Sequence, residues 1–538
     1  MQINSETAET SAPAPTSQSG ERKSSLLLVF IGLMLAMFLS SLSQTVLSAA
    51  MPTMVGELNG VDHMLWIMTA FMLSSTIMMP IYGKMGDLIG RKSLLIAAIL
   101  VFMVGSVIGA LAGDMTMMIA ARVVQGIGGG GLMILSQAII ADVVPARERG
   151  RYMGIMGAVF AVSSVAGPLL GGWLTEGVGW RWTFWINIPV GLLALGAAVF
   201  LLHLPKHRSV RPKIDGWGMA LLAFATTCLV LVGSWGGKDF AWDSITILGL
   251  IAATVISAVI FVLVERRVAE PIMPLHLFKD RNFNLTTGAG LLTGIAMFGA
   301  IGYLPTYLQM TFGADATQAG LLMIPMMGAL LITSVATGSL VSRYGRYKWM
   351  PIVGAAIIAV GLALLSTITP DMPIWQFCLY LAVLGMGLGT SMQILVLIVQ
   401  NSFPNSEVGT ATASNNYFRQ IGGSLGGAVV GSLFTTRLAD ELTRRFAGMG
   451  GASGSADINS LTPDGIKHLP DAIHQQIVEG YNEALAPLFL YMVPLAILAF
   501  VLLLFVKEKP LATTIERDIM PDSVAEGQLL ITSSQKTV

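Results

Sequence analysis

The sequence predicts an all-α polytopic membrane protein with fourteen transmembrane helices. Three observations carry this reading: long apolar runs recur along the chain, charges gather in short segments between them, and basic and acidic loops alternate. Of 538 residues, 54% are hydrophobic and only 12% charged. With a mean hydropathy of +0.72, the chain is far too apolar for a soluble domain. Lys+Arg and Asp+Glu balance at 31 each, so no net field favours nucleic acid or an acidic partner. Cys228 and Cys378 both fall in apolar runs, which argues against a disulfide framework or a thiolate metal site. There is no metal-ligand cluster, Walker loop or G-x-S-x-G, so a membrane enzyme is not expected.

Residues 1–23, rich in Ser, Thr, Ala and Pro, read as a disordered tail, and no cleaved signal peptide is expected. Helix 1 covers about 24–50, and helix 2 begins near Trp66, an aromatic at the outer interface. Helix 3 ends at the outer turn Gly113-Asp114, and helix 4 follows. A basic inner loop with Arg147, Arg149 and Arg151 leads to helix 5, and the outer turn 180–191 opens helix 6. Two more spans lie near 217–235 and 245–264. The last six lie near 283–310, 318–341, 349–367, 375–400, 408–435 and 487–506. Each run is close to the ~20 residues that cross a bilayer. Inner loops hold nearly all Lys and Arg, while outer loops hold Glu57, Asp62, Asp114, Asp315 and Asp371. That alternation places both termini in the cytoplasm. One long outer segment, 437–485, breaks the rule with Arg437, Arg444, Arg445 and Lys467. Its Gly/Ser core reads as flexible, with a short amphipathic helix around Ile473 to Tyr481. Residues 507–538 read as a second cytoplasmic tail.

The chain is organised around G-K-M-G-D-L-I-G-R-K, residues 83–92, a charged turn between apolar runs 64–82 and 94–112. Gly83, Gly86 and Gly90 allow close backbone approach and tight turning. Asp87 and Arg91 become i,i+4 partners if the turn is partly helical. G-S-L-V-S-R-Y-G-R-Y at 338–347 repeats the pattern 255 residues later, with Ser342 in place of the acid. This offset maps helix 2 onto helix 10. It divides the chain into a first six-helix bundle (24–203), two inserted helices with their flanking loops (204–282) and a second six-helix bundle (283–506). Parallel repeats of this kind build a central cavity between two halves.

Two further motifs stand in the first half. R-V-V-Q-G-I-G-G-G-G at 122–131 puts Arg122 about two turns inside helix 4. A buried cation there is a functional candidate by default. G-P-L-L-G-G at 167–172 places the Pro168 kink beside the small residue Gly167 in helix 5.

In this order and spacing, the three motifs resemble those of the major facilitator superfamily. W-R-W-T-F-W-I-N-I-P-V-G at 180–191, R-Q-I-G-G-S-L-G at 419–426 and the helix count resemble its fourteen-helix drug:proton antiporters. The resemblance covers about 24–506 and implies the major facilitator fold and a proton gradient as energy source, with no bound cofactor. It implies that Asp87 and Arg91, with Gly83 and Gly90, gate the cytoplasmic side. Gly167 and Pro168 would shape the interface between halves, and Arg122 would assist coupling. Arg419 is the other charge placed deep in a helix. Polar or aromatic residues inside apolar spans are the candidates to face substrate: Ser43, Gln44, Trp66, Gln125, Asn187, Tyr303, Gln309, Gln393, Asn415 and Tyr417. For each of these singly, helix–helix hydrogen bonding is an equal alternative.

One departure matters. Helix 1 reads Leu42-Ser43-Gln44-Thr45 where the family usually has L-D-Q-T, so the acid used for cation and proton exchange is missing. Any proton coupling would then use a peripheral acid such as Glu57, Asp142 or Glu407, or the substrate itself. Buried cations without a carboxylate disfavour permanently cationic drugs and suit neutral or anionic amphiphiles. The expected function is export of amphipathic compounds by alternating access, from a bacterial plasma membrane and as a monomer. The rival readings are a lipid exporter and a non-transporting sensor or scaffold.

Overall fold

The computed structural model describes residues 18–58, 60, 63–202, 204, 214–237, 239–447 and 470–513. Most of both expected tails and the Gly/Ser core of the 437–485 segment lie outside these residues. Apart from one isolated bridge between Gly236 and Phe240, the described backbone pairing is helical. That is what a bilayer demands of a chain that must satisfy its own peptide groups.

Among the described residues, fourteen helical spans follow one another. The first half contains α1 (Gln18–Glu57), α2 (Met64–Ile89), α3 (Arg91–Ala110), α4 (Met115–Val143), α5 (Ala146–Gly177) and α6 (Trp182–Leu201). Then come α7 (Gly216–Trp235) and α8 (Ile245–Glu265). The second half contains α9 (Arg281–Thr311), α10 (Thr317–Tyr344), α11 (Trp349–Leu365), α12 (Ile374–Gln400), α13 (Val408–Ala447) and α14 (Asp471–Leu504). Among the described residues, 12 helices are long and apolar enough to cross a membrane on those criteria alone. The other two are α11, one residue short of that length, and α13, which carries Asn415, Asn416, Arg419 and Gln420 through its span.

Helix limits differ from the expected ones where polar residues continue a helix beyond the bilayer. At the start of α1, helix begins at Gln18 rather than after residue 23, and at its end it runs through Pro52 to Glu57. α13 continues to Ala447 and α14 starts at Asp471, so much of the supposed outer loop is helix. Leu438 and Leu442 pack with Ile477, Tyr481 and Ala484 in one buried cluster. Arg445 bridges Glu441 (2.9 Å), Glu479 (2.7 Å) and Glu483 (2.8 Å). Two of the basic residues that broke the charge rule, Arg444 and Arg445, thus have acidic partners on this two-helix projection, Arg437 donates to Tyr491 Oη, and Lys467 lies outside the described residues. The expected short helix around Ile473 is the first turns of α14.

The packing repeats. Helix pairs α1–α5, α2–α4, α3–α4, α3–α6 and α1–α6 recur, eight helices later, as α9–α13, α10–α12, α11–α12, α11–α14 and α9–α14. Between halves the principal pairs are α2 with α13 and α5 with α10, which the same relation exchanges. The repeated glycines show why the sequence pattern recurs. Gly90 (φ 97) breaks α2 from α3, and Gly345 (φ 72) ends α10. Both occupy the left-handed region that glycine alone enters without strain. Gly83 packs on Gly409 and Ala413 of α13, and Gly338 packs on Gly150 of α5. Each half therefore offers a small residue at the same place to the other, the usual way membrane helices approach closely.

The inserted pair breaks this symmetry. α7 packs on α8, α2 and α13, lying along the α2–α13 seam. Trp235 meets Trp66 edge-on at 6.3 Å, Thr226 Oγ1 and Tyr417 Oη lie 2.7 Å apart, and Trp242 Nε1 donates to Ser432 Oγ. α8 packs chiefly on α7. Its exposed Ile, Leu and Val side chains suit a lipid surround.

The α5–α10 seam closes because Gly154 lets Ser334 donate from Oγ to its carbonyl at 3.0 Å. A Cβ at Gly154 would overlap the Ser334 carbonyl. A Gly154→Leu variant should insert and fold but hold this seam apart. A cysteine at position 334, buried in the parent, should then become labelled by a polar maleimide. Equal protection in both backgrounds would contradict this account of the seam.

Candidate functional site

At the α2–α3 end, one carboxylate joins the halves. α2 stays helical through Ile89, so Asp87 and Arg91 fall one turn apart and pair at 2.7 Å. Both side chains are about 5% exposed. Asp87 also accepts from three donors at the start of α13: Gly409 N (3.2 Å), Thr410 N (2.7 Å) and Thr410 Oγ1 (2.8 Å). The first N–H groups of a helix have no partner within it and carry the positive end of its dipole. Asp87 thus caps a helix belonging to the other half.

Arg91 completes the junction. Nη1 donates to Asp142 Oδ1 (2.5 Å) and Ala138 O (2.7 Å), and Nη2 donates to Asn405 O (2.9 Å). Arg149 Nη2 donates to Ala141 O at 2.6 Å and Asn405 Oδ1 at 3.3 Å, while Nε donates to Val144 O at 3.0 Å. Two guanidinium groups therefore satisfy the last carbonyls of α4, where positive charge is favourable. Gly409, Thr410 and Asn405 were not singled out from the sequence. The run N-S-E-V-G-T at 405–410 does carry the polar residues of a helix start.

The segment after α8 lies across this junction. Glu265 accepts from Ile272 N and Met273 N, both at 3.2 Å, which turns the chain back. Glu270 then pairs with Lys84 at 2.6 Å, and His276 Nε2 lies 2.8 Å from Glu407 Oε2.

The second copy uses neutral groups. Ser342, where the repeat replaces Asp87, accepts from Arg151 N at 3.0 Å. Arg147 donates to the carbonyls of Ser342 and Arg343. One seam is held by buried charge, the other by hydroxyl and carbonyl groups.

The remaining expected site residues are spread along the halves. Arg122 is fully buried: Nε donates to Ile67 O (3.1 Å), Nη1 to Gln125 Oε1 (2.7 Å) and to Ser43 Oγ (3.5 Å). Its guanidinium lies 4.3 Å from the centre of the Phe71 ring. Gln125 and Asn187 both donate to Ser106 Oγ, so R-x-x-Q and the I-N of the 180–191 stretch meet in one buried network. The W-R-W part anchors the opposite end, where Trp180 Nε1 and Arg181 Nη1 donate to Glu57. Gly167 lies against Thr45 of α1, within its own half, while Pro168 faces Gly320 of α10. Gln44 is exposed on α1, and Gln309 is half-buried on α9. Gln393 is buried beside Gly157, Asn415 donates to Thr287 Oγ1, and Tyr303 Oη donates to Gly427 O. Trp66 and Tyr417 hold α7, as described above.

A second link between halves, also unmarked by motif, lies deeper. Asn416 Nδ2 of α13 donates to Gln137 Oε1 of α4 at 3.0 Å, and Gln400 Nε2 of α12 donates to Gln137 O at 3.2 Å. Arg419 Nη2 donates to Asn416 Oδ1 at 2.5 Å.

Charge-assisted hydrogen bonds of the Asp87 kind contribute about 1.5–3 kcal/mol each. Asp87→Asn should therefore shift the closed-to-open ratio at this end by roughly tenfold or more. Accessibility labelling of a cysteine at position 79, buried on α2 against Ala413 of α13, measures it. Glu270→Gln, at a pair whose acid is 40% exposed, should change the same readout by less than about fivefold. Equal effects would show that Asp87 is no more than a surface charge.

The fold and the sequence find the same kin. The Major Facilitator Superfamily sequence profile matches residues 33–427. An uncharacterised MFS-type transporter of Mycobacterium tuberculosis is 39% identical over 524 residues, 97% of this chain and 75% of that protein. A Bacillus subtilis protein named multidrug transporter protein MdtP is 37% identical over 483 residues, 86% of this chain and 88% of its own length. The solved structure of the proton:xylose symporter XylE superposes with a TM-score of 0.57 at 17% identity, covering 91% of this chain and 98% of the symporter. Two repeated six-helix halves, a charged α2–α3 turn docked on the opposite half and a profile match across most of the chain lead to one conclusion: this integral membrane protein belongs to the major facilitator superfamily of transporters.

Proposed function

We propose that the chain is a proton-gradient-driven exporter of amphipathic compounds, working by alternating access between its two halves. The observation that carries this is the docking of Asp87 on the first turn of α13. It joins the two repeated halves through a few directional bonds at one end of the seam. Such a junction closes one side of the molecule and can be released as a unit. A relative named a multidrug transporter protein and another named a multidrug resistance protein support amphipathic molecules as the substrate class. In this reading the α2–α3 end faces the cytoplasm of a bacterial cell, both termini lie on that side, and one chain suffices for transport. Substrate moves from the cytoplasm or inner leaflet outward. Gln44, Gln309 and Gln393 are proposed to meet it, and Ser43 to share the Arg122 network beside its path. Gly167 sets the fit of α5 on α1, so that the Pro168 face moves with its bundle.

Purified full-length protein in vesicles, loaded with a neutral amphipathic dye and given an imposed pH gradient, tests this directly. Dye movement above that of protein-free vesicles, abolished when the gradient is collapsed, is the expected result. Gradient-independent or absent movement contradicts it.

Ser43 gives a second expectation. Its Oγ is 3.5 Å from Arg122 Nη1, and serine does not titrate. Ser43→Asp would add a carboxylate within reach of a guanidinium whose Nη2 has no partner. The variant should gain several-fold faster gradient-driven export of a cationic dye, measured by the same flux assay. Strong cation export by the parent, unchanged by the substitution, would count against a coupling role for this position.

A further inference from the structure

The two arginines inside the spans have different surroundings. Arg122 is enclosed by its own half, with a carbonyl, an amide, a hydroxyl and an aromatic face around it. Arg419 is also buried, at 8% exposure, but it is one side chain away from the other half. The one hydrogen bond found for its guanidinium among the described residues is Nη2 to Asn416 Oδ1. Asn416 passes the contact to Gln137 of the first half. Gln137 Nε2 is a fully buried donor with no partner, and Gln400 Oε1 is a buried acceptor with none. No Asp or Glu among the described residues forms an ion pair with Arg419. Arg91, by contrast, is paired with Asp87 and Asp142.

A guanidinium stays charged at any physiological pH. Held in a span without a counter-charge, it is costly, and such residues as a rule mark substrate or ion pathways. Its planar fork of donors matches a carboxylate, sulfonate or phosphate and repels a cation. We propose that Arg419, with Asn416 and Gln137, is a selectivity site for the oxyanion head group of an amphipathic substrate. Arg419 takes the oxyanion through its unpaired donors. Gln137 Nε2 adds a donor from the opposite half, so a bound anion contacts both halves at once. The unpaired Gln400 Oε1 suits an N–H or O–H beside the oxyanion. Arg122, whose Nη2 is also unpaired, has its partners wholly within the first half, so an anion there would not bridge the two halves. This inference rests on the exporter reading and narrows it to anionic over cationic amphiphiles.

The test uses the full chain in vesicles and three probes sharing one fluorescent aromatic tail, with a sulfonate, a hydroxyl or a quaternary ammonium head. The parent should export the sulfonate at least about tenfold faster than the ammonium, a ratio matching one charge-assisted contact. Arg419→Gln should lower sulfonate export about tenfold or more while leaving the hydroxyl probe within about twofold. Arg419→Lys should retain an intermediate sulfonate rate, since it keeps the charge without the fork. A phosphate-headed probe of the same tail shows whether the site prefers one charge or two. Asn416→Asp, which supplies the missing carboxylate beside Arg419 and makes the pair neutral, should abolish the preference for the sulfonate over the ammonium probe, and it serves if Arg419→Gln does not accumulate. Equal export of sulfonate and ammonium by the parent would overturn the proposal, as would an equal loss of all three probes in Arg419→Gln alongside an unchanged preference in Asn416→Asp. Export of no probe by the parent would instead overturn the exporter reading, and this inference with it.

Discussion

The structure depends on a carboxylate capping a helix that is not its own. Asp87 gives the start of α13 the acceptors that its first N–H groups lack, and Arg91 holds the carboxylate in place from one turn away. Remove that acid and the first turn of α13, Arg91 and the seam lose a partner together. The bonds are strong because the site is dry, and few enough to be broken in one step. Packing alone would not give this combination. Glycine contacts such as Gly83 on Gly409 allow the helices to touch, but they contain no directional bond to switch.

The two seams carry unequal versions of this device. At α5–α10 the repeated turn has a serine, and its hydroxyl and carbonyls meet Arg147, Arg151 N and closely packed glycines, with no carboxylate between them among the described residues. A repeat in which both seams were locked by buried carboxylates would resist opening twice over. The loss of the acid in one copy leaves a single electrostatic lock, placed beside the inserted pair and under the segment that carries Glu270 and His276.

Much of this was legible in the sequence, and the physical reason is plain. Bilayer-spanning helices need long apolar runs, and loops collect the charges, so fourteen spans and their alternation could be read directly. The turn at 83–92 was legible because glycines and charges inside such a pattern have few uses. The partners of that turn were not, because Gly409 and Thr410 act through backbone N–H groups and a hydroxyl, which carry no composition signal. Gln137 and Asn416 were hidden for a related reason: single amides in apolar helices hydrogen-bond neighbours everywhere. Trp66 and Tyr417, read as candidates to face substrate, hold α7 in place. An aromatic inside a span looks the same from sequence whether it meets a ligand or another helix. The 437–485 segment misled because its charges were counted against a loop, whereas Arg445 with Glu441, Glu479 and Glu483 zips two helices together.

The position of α7 has a mechanical consequence. It touches α2 of one half and α13 of the other, with Trp235 on Trp66 and Thr226 on Tyr417. A body that grips both leaves along one edge acts as a spine. α7 covers the α2–α13 flank, whereas among the described residues no inserted helix covers the far flank, where α5 meets α10. Molecules dissolved in the surrounding lipid would then find one doorway into the protein rather than two. The residues framing that doorway, Gly154 and Ser334 among them, would set the size of what can pass.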